Sequence, residues 1–192
     1  MTETTKAILA RRSIKRASSA PIERAKIDLL LEQAAYAPFH SKQEPWNAYI
    51  IGSKSGKEKL LQAIGKSIEA TQGDTIAAEK KQELLEKNKQ KLEKPPYLII
   101  ITAKQVEEEK KDFEAIAAVS AFIQNFQLLA WEAGVGMIWR TNKFIFDKAF
   151  ARALAIPDEN KVIGILYLSV LEDNVPEVKK RSPIEEWVTE IE

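Results

Sequence analysis

Apolar residues recur along this chain with two distinct periods. Ile27, Leu30, Leu31, Ala34 and Ala35 fall at helical spacing, so residues 22–36 are predicted as an amphipathic helix. Pro21 suits its first turn, and Pro38 stops it after Ala37. Leu60, Leu61, Ile64 and Ile68 give residues 54–71 a second such face. Residues 2–12 read as a short helix ending in Arg11-Arg12-Ser13. Three apolar stretches are too short for helices and read as strands: 47–52 (NAYIIG), 97–103 (YLIIITA) and 161–171 (KVIGILYLSVL). The second of these is continuous enough to be buried on both faces. Residues 135–139 form a strand or extended segment.

The longest pattern is residues 113–133, with Asp112 as the expected N-cap and Gly134 and Gly136 as the exit. Its middle, AIAAVSAFIQNFQLLAW, is apolar nearly all round, which suits a helix central to the core or to an oligomer interface. By contrast, 74–94 is heavily charged, carries one i,i+4 pair (Glu83 and Lys87), and ends at Pro95-Pro96. It reads as a solvent-facing helix or lid, mobile relative to the rest, and residues 104–112 as a charged connection. Asp147 caps a short helix to Ala155, followed by a turn at Pro157-Asp158. Residues 172–192 form a charged tail with an apolar patch at Trp187, Val188 and Ile191. Two strands before the long helix and two after it imply an α+β fold in one domain, 1–192, without the βαβ alternation of a doubly wound sheet.

Composition narrows the chemistry. The formal net charge of +1 gives no reason to expect nucleic acid or an anionic membrane as partner. The first residues lack the apolar core of a secretory signal, and the longest apolar run is far short of a membrane span, so a cytoplasmic location is expected. There is no Cys, hence no disulfide, thiolate nucleophile or zinc–thiolate site. The single His, His40, excludes a His-rich metal site. With so few conventional catalytic side chains, an enzyme built on this chain needs a cofactor to carry the chemistry. Gly52-Ser-Lys-Ser-Gly56-Lys57 is one residue short of a P-loop and has Glu58 where a Mg²⁺-binding hydroxyl is required. Gly134-Val-Gly136 follows a helix and lacks the third Gly of a dinucleotide fingerprint. The many carboxylates sit on charged helices, and none stands out as an acid/base pair.

Five segments, in order, resemble the nitroreductase family of flavoproteins. They are residues 10–16 (ARRSIKR), 34–46 (AAYAPFHSKQEPW), 128–141 (LLAWEAGVGMIWRT), 155–158 (AIPD) with the strand after it, and the basic ending 179–186 (KKRSPIEE). The resemblance covers most of 6–191 and is weak across 72–112. It implies a three-layer sandwich with a central, mostly antiparallel sheet flanked by helices. The sandwich would dimerise through the long central helix, with the 172–192 tail packing on the partner subunit and FMN at the interface. Arg11, Arg12 and Ser13 match the family's phosphate and ribityl contacts, and guanidinium groups suit a phosphate dianion. Trp139, Arg140 and Thr141 match residues along the isoalloxazine and phosphate, with Arg181 and Lys179 as further phosphate contacts. His40 matches a position that reaches FMN from the partner subunit, with Tyr36 and Phe39 beside it. Leu129, Ala130, Trp131, Glu132, Ala133 and Gly134 align with a stretch linked to nicotinamide nucleotide binding.

Three positions depart from the family pattern. Lys42 and Glu44 replace Asn and Gln before Pro45-Trp46, and Ser169 stands for a Gly after the last strand. The implied activity is ping-pong hydride transfer from NAD(P)H through flavin N5 to a small-molecule acceptor such as a nitroaromatic or quinone. Rival expectations keep FMN for dehalogenation or flavin degradation, or keep only a cofactor-free dimeric scaffold.

Overall fold

The computed structural model describes residues 1–40 and 42–191, the side chain of Asp74 excepted; Ser41 of the second motif and Glu192 lie outside the described residues. Four strands, β1 (Trp46–Ile51), β2 (Tyr97–Lys104), β3 (Val135–Arg140) and β4 (Asn160–Val170), form one sheet. Its order is β1-β2-β4-β3, and every pairing is antiparallel. The two interior strands, β2 and β4, are the near-continuous apolar runs, as burial on both faces requires.

Helices cover both faces. Ile99, Ile101, Leu166, Leu168 and Met137 pack beneath α2 (Arg24–Ala34) and α5 (Glu109–Glu132), with α1 (Glu3–Ala10) against α5. Leu98, Ile100, Ile165 and Tyr167 pack beneath α3 (Lys54–Gln72) and α6 (Lys148–Ala153). The charged segment forms α4 (Ala78–Glu93), docked on α3 through buried Leu92, half-buried Leu84 and Leu85, and a Lys81–Glu69 ion pair at 2.7 Å. The architecture is the α+β three-layer sandwich expected from the sequence. Among the described residues, α5 alone is long and apolar enough to cross a membrane by length and composition. It is a core helix: Val119, Ile123, Phe126 and Ala130 have no exposed surface.

Several boundaries differ from expectation. The first helix stops at Ala10 instead of running through Arg11-Arg12, because Arg11 turns to an extended conformation (φ −53°, ψ 132°) while its N–H caps Ala7 O. The second helix begins only after Glu23, so Pro21 precedes it and Ile22 is buried outside it. Helix α5 starts four residues earlier than predicted, with Glu108 in the N-cap position. Asp112 therefore lies in the first turn, where a carboxylate suits the macrodipole. Its side chain accepts from Lys161 Nζ (2.8 Å) and Val106 N–H (3.4 Å), tying the start of β4 and the preceding loop to the helix.

Lys161 holds the Asp112 carboxyl below the usual aspartate range, against an opposing effect of burial. The folded value lies below the unfolded one, so the resulting stability is present above the unfolded pKa and is lost as pH falls through the folded one. Wild type should exceed Asp112→Asn by no more than about 1 kcal/mol at neutral pH. Urea midpoints of the two proteins should converge in acid; a gap that persists below pH ~3 would contradict the assignment.

Candidate functional site

Beyond α1, residues 11–18 run as a strap beside the free edge of β3. Ser13 forms a parallel bridge with Met137, and Ile14 N–H donates to Met137 O at 2.9 Å. Gly136 makes this approach possible: a Cβ there would sit 2.6 Å from Ile14 Cγ1. Gly136 is thus a buried strand residue serving the strap, while Gly134, at φ +74°, supplies the helix exit alone. Ser18 N–H at the far end donates to Ser169 Oγ at 2.6 Å. Ser169 is buried inside β4, one residue before its end, so the departure from the family's Gly has a use: its hydroxyl fastens the strap. Ser169→Ala should cost about 1–2 kcal/mol by orphaning the Ser18 N–H, measured by denaturant unfolding; an unchanged midpoint would remove the strap's anchor from this account.

The strap and the tail enclose a cleft of about 520 Å³ lined by Arg11, Arg12, Ser13, Lys15, Arg16, Lys179 and Arg181, with Glu177 as its carboxylate. Arg12 Nη1 donates to Arg11 O at 2.5 Å, but its Nε and Nη2 are buried without a partner. Burial, then the neighbouring Arg12 and Arg181, lowers the Arg11 pKa. Like charges held together with buried donors unused are unfavourable without an anion. The donor set therefore fits a phosphate group.

A second cleft of about 770 Å³ adjoins the first and shares Ile14, Lys15 and Arg16 with it. It is lined by Ile138, Arg140 and Tyr167 of the sheet, by Lys87 and Lys91 of α4 and by Lys94 just beyond that helix. Arg140 lies over the Tyr167 ring at 5.2 Å, with its Nε buried and unpartnered. Burial pushes the Tyr167 hydroxyl up to about 12, against the pull of Arg140, so it stays neutral.

The other predicted residues lie elsewhere. Trp139 alternates to the opposite face from Arg140; its indole rests where Gly164 lacks a Cβ and donates to Ile163 O at 3.2 Å. Thr141 is exposed just beyond β3. His40 and Phe39, with Lys42 and Glu44, line a third cleft of about 650 Å³ beside the start of α5, and Tyr36 is 89% exposed. Within one chain, neither Tyr36 nor His40 lines the arginine cleft. In the 129–134 stretch Ala130 is buried, Leu129, Trp131 and Ala133 are half-buried, and Glu132 and Gly134 are exposed at the end of α5.

The family model described as "Nitroreductase family" matches residues 8–169. The chain belongs to the nitroreductase family. It is 34% identical over 184 residues to a Bacillus subtilis (strain 168) protein provisionally named NAD(P)H nitroreductase YfhC, covering 96% of this chain and 92% of that one. A nitroreductase-like family protein of Bacillus cereus, known from a crystal structure, superposes with a TM-score of 0.83 at 29% identity, covering 100% of this chain and 97% of that one. A BluB-like flavoprotein from Clostridium difficile 630 shares the fold at a TM-score of 0.75 and 21% identity, each chain covered in full (100%). Membership makes the chain a flavin-dependent oxidoreductase.

The family match stops at residue 169, so Lys179 and Arg181 enter the site through their place in the cleft alone. Sequence reasoning missed Lys15, Arg16, Lys87 and Lys91 of α4, and Lys94 at its end. A charged helix in the segment of weakest resemblance carries no sign of which face it turns inward. The spacing of Lys87, Lys91 and Lys94 at i, i+4 and i+7 was the available signal, since it places all three on one side.

Proposed function

We propose that the chain is an FMN-dependent NAD(P)H oxidoreductase, working as a homodimer and reducing nitroaromatic, quinone or similar small acceptors. The observation that carries the cofactor assignment is the buried, unpartnered Nε and Nη2 of Arg12 beside Arg11 and Arg181. In this reading Arg11, Arg12 and Arg181 hold the FMN phosphate, Lys179 adds charge, and the Ser13 hydroxyl serves the ribityl chain. The adjoining cleft, lined by Ile14, Ile138 and Tyr167, would take the isoalloxazine. Lys15, Lys91 and Arg140 of that cleft would supply positive charge, which favours electron density on the ring.

When bound, FMN would supply the hydride chemistry that links NAD(P)H to the acceptor. The protein's part is to bind, orient and polarise. Trp139 steadies the end of β3, which carries Arg140 and leads into Thr141. His40 and Tyr36 complete the site from a second copy, because in their own subunit they stand apart from the arginine cleft.

The surface supports that second copy. Phe113 of α5 is 71% exposed, Leu128 and Trp131 are half-buried, and Ile8, Leu9 and Leu29 of α1 and α2 are exposed. Ile184, Trp187, Val188 and Ile191 of the tail are exposed as well. So much apolar area open to water is unusual for a monomer. Light scattering should give twice the 21.7 kDa chain mass. Purified protein should carry flavin absorbance that bleaches anaerobically with NAD(P)H; bands that persist would overturn the donor assignment. Turnover of a halogenated tyrosine, or oxygen-dependent loss of FMN, in place of NAD(P)H oxidation would favour the rival chemistries.

A further inference from the structure

The two adjoining clefts hold more positive charge than one FMN uses. Each is lined by six basic side chains, Lys15 and Arg16 being common to both, and Glu177 and Glu93 are the lining carboxylates. Among the described residues Arg16, Lys91 and Lys94 make no ion pair, whereas Lys87 is matched by Glu83 at 2.5 Å. The phosphate dianion falls to the arginine cleft, and Lys15, Lys91 and Arg140 fall to the ring. Arg16 and Lys94 remain, both exposed on the rim of the larger cleft.

Helix capping does not account for Lys94. A cation near a helix C-terminus ordinarily answers the exposed carbonyls. Here Lys57 Nζ already takes Glu93 O at 2.9 Å and Pro95 O at 2.6 Å. Lys91 and Lys94 also stand three residues apart on a face that carries Lys87, where like charges repel. Arg16 and Lys94, without an ion pair among the described residues and lining the same flavin-sized cleft, are suited to a second, more highly charged anion.

We infer that Arg16 and Lys94 recognise the 2′-phosphate of the nicotinamide dinucleotide, so that NADPH is the preferred reductant over NADH. The inference rests on the flavin oxidoreductase reading above. NADPH carries a phosphate dianion that NADH lacks, so the rim field acts on the difference between them and speeds its association. Exposed charge contacts contribute a few-fold each, so the two together give a preference on the order of tenfold at low salt. The preference shrinks as ionic strength rises, because the charges lie at the surface.

The test pairs binding with kinetics on FMN-loaded protein. Calorimetric titration should show 2′-phospho-ADP-ribose binding about tenfold tighter than ADP-ribose. The double variant Arg16→Gln/Lys94→Gln should erase that difference, and Lys94→Gln alone, at a residue outside the arginine cleft, should shrink it about threefold while leaving flavin content and NADH-driven kcat/KM unchanged. In parallel, the NADPH/NADH ratio of kcat/KM should fall about threefold in Lys94→Gln and approach one in the double variant. Equal binding of the two probes by wild type, or a preference that survives in the double variant, overturns the inference. So does an unchanged NADPH/NADH ratio combined with loss of activity toward an acidic acceptor, which would give the cations to the acceptor. Failure to retain FMN is a separate result: it would sink the oxidoreductase reading itself.

Discussion

Alanine at both Arg11 and Arg12 lowers FMN affinity by about 10²- to 10⁴-fold, from the loss of charge-assisted contacts of roughly 1.5–3 kcal/mol each. The apo protein should respond differently. In the free chain the two guanidinium groups repel, Arg11 is partly desolvated, and two Arg12 donors are buried without partners. Their removal costs the fold the Arg12–Arg11 backbone contact and relieves the repulsion, so apo stability should move by less than about 1 kcal/mol. A site that weakens its ligand sharply while the empty protein keeps its midpoint is the signature of residues held for binding. Flavin fluorescence quenching gives the affinity, and urea unfolding of the apo form gives the stability. FMN affinity within threefold of wild type would move the phosphate away from this cleft.

Gly164→Ala produces the second large effect, and it acts through packing. A Cβ at Gly164 would sit 2.0 Å from Trp139 Nε1 and 2.4 Å from Cδ1, with Arg140 O at 3.2 Å. The indole must leave, giving up its bond to Ile163 O and its contacts with the apolar core around it. Displacing a packed Trp costs about 3–5 kcal/mol. For a chain of this size that lowers Tm by roughly 10 °C. Because Trp139 precedes Arg140 and Thr141, FMN affinity should fall too. The cause is separable by a mutant cycle: in a Trp139→Ala background Gly164→Ala should cost about 1 kcal/mol or less. Equal costs in both backgrounds would show that the strain comes from β4 alone.

These two sites mark what the sequence discloses and what it hides. Periodicity located α2 and its buried Ile27, Leu30 and Ala34, and the continuous run 97–103 located a central strand. Both signals are local, and burial on one face or two is written directly into them. The start of α5 was not legible, because the EKKD stretch is as polar as a loop and becomes helical through the macrodipole and the Asp112–Lys161 tie. Strand order was equally hidden, since nothing in β4 alone says that it inserts between β2 and β3.

Of the candidate site, Arg11, Arg12, Ser13 and Arg181 line one cleft, and Arg140 lines the adjoining one. The conditions for that gathering were not visible. Gly136 must lack a side chain for Ile14 to dock, Gly164 must lack one to make room for the Trp139 indole, and Ser169 must offer a hydroxyl to Ser18. Each is a contact between segments far apart in the chain, and a single residue type reveals such a contact only once its neighbour is known.

Comparing FMN with riboflavin isolates the proposed phosphate anchor in the arginine cleft. The two differ only in that phosphate. Titrated into flavin-free protein at moderate salt, FMN should bind one per chain and at least about 100-fold tighter than riboflavin, given charge-assisted contacts of the usual strength. Equal affinity for the two, or no binding of either, would contradict the account.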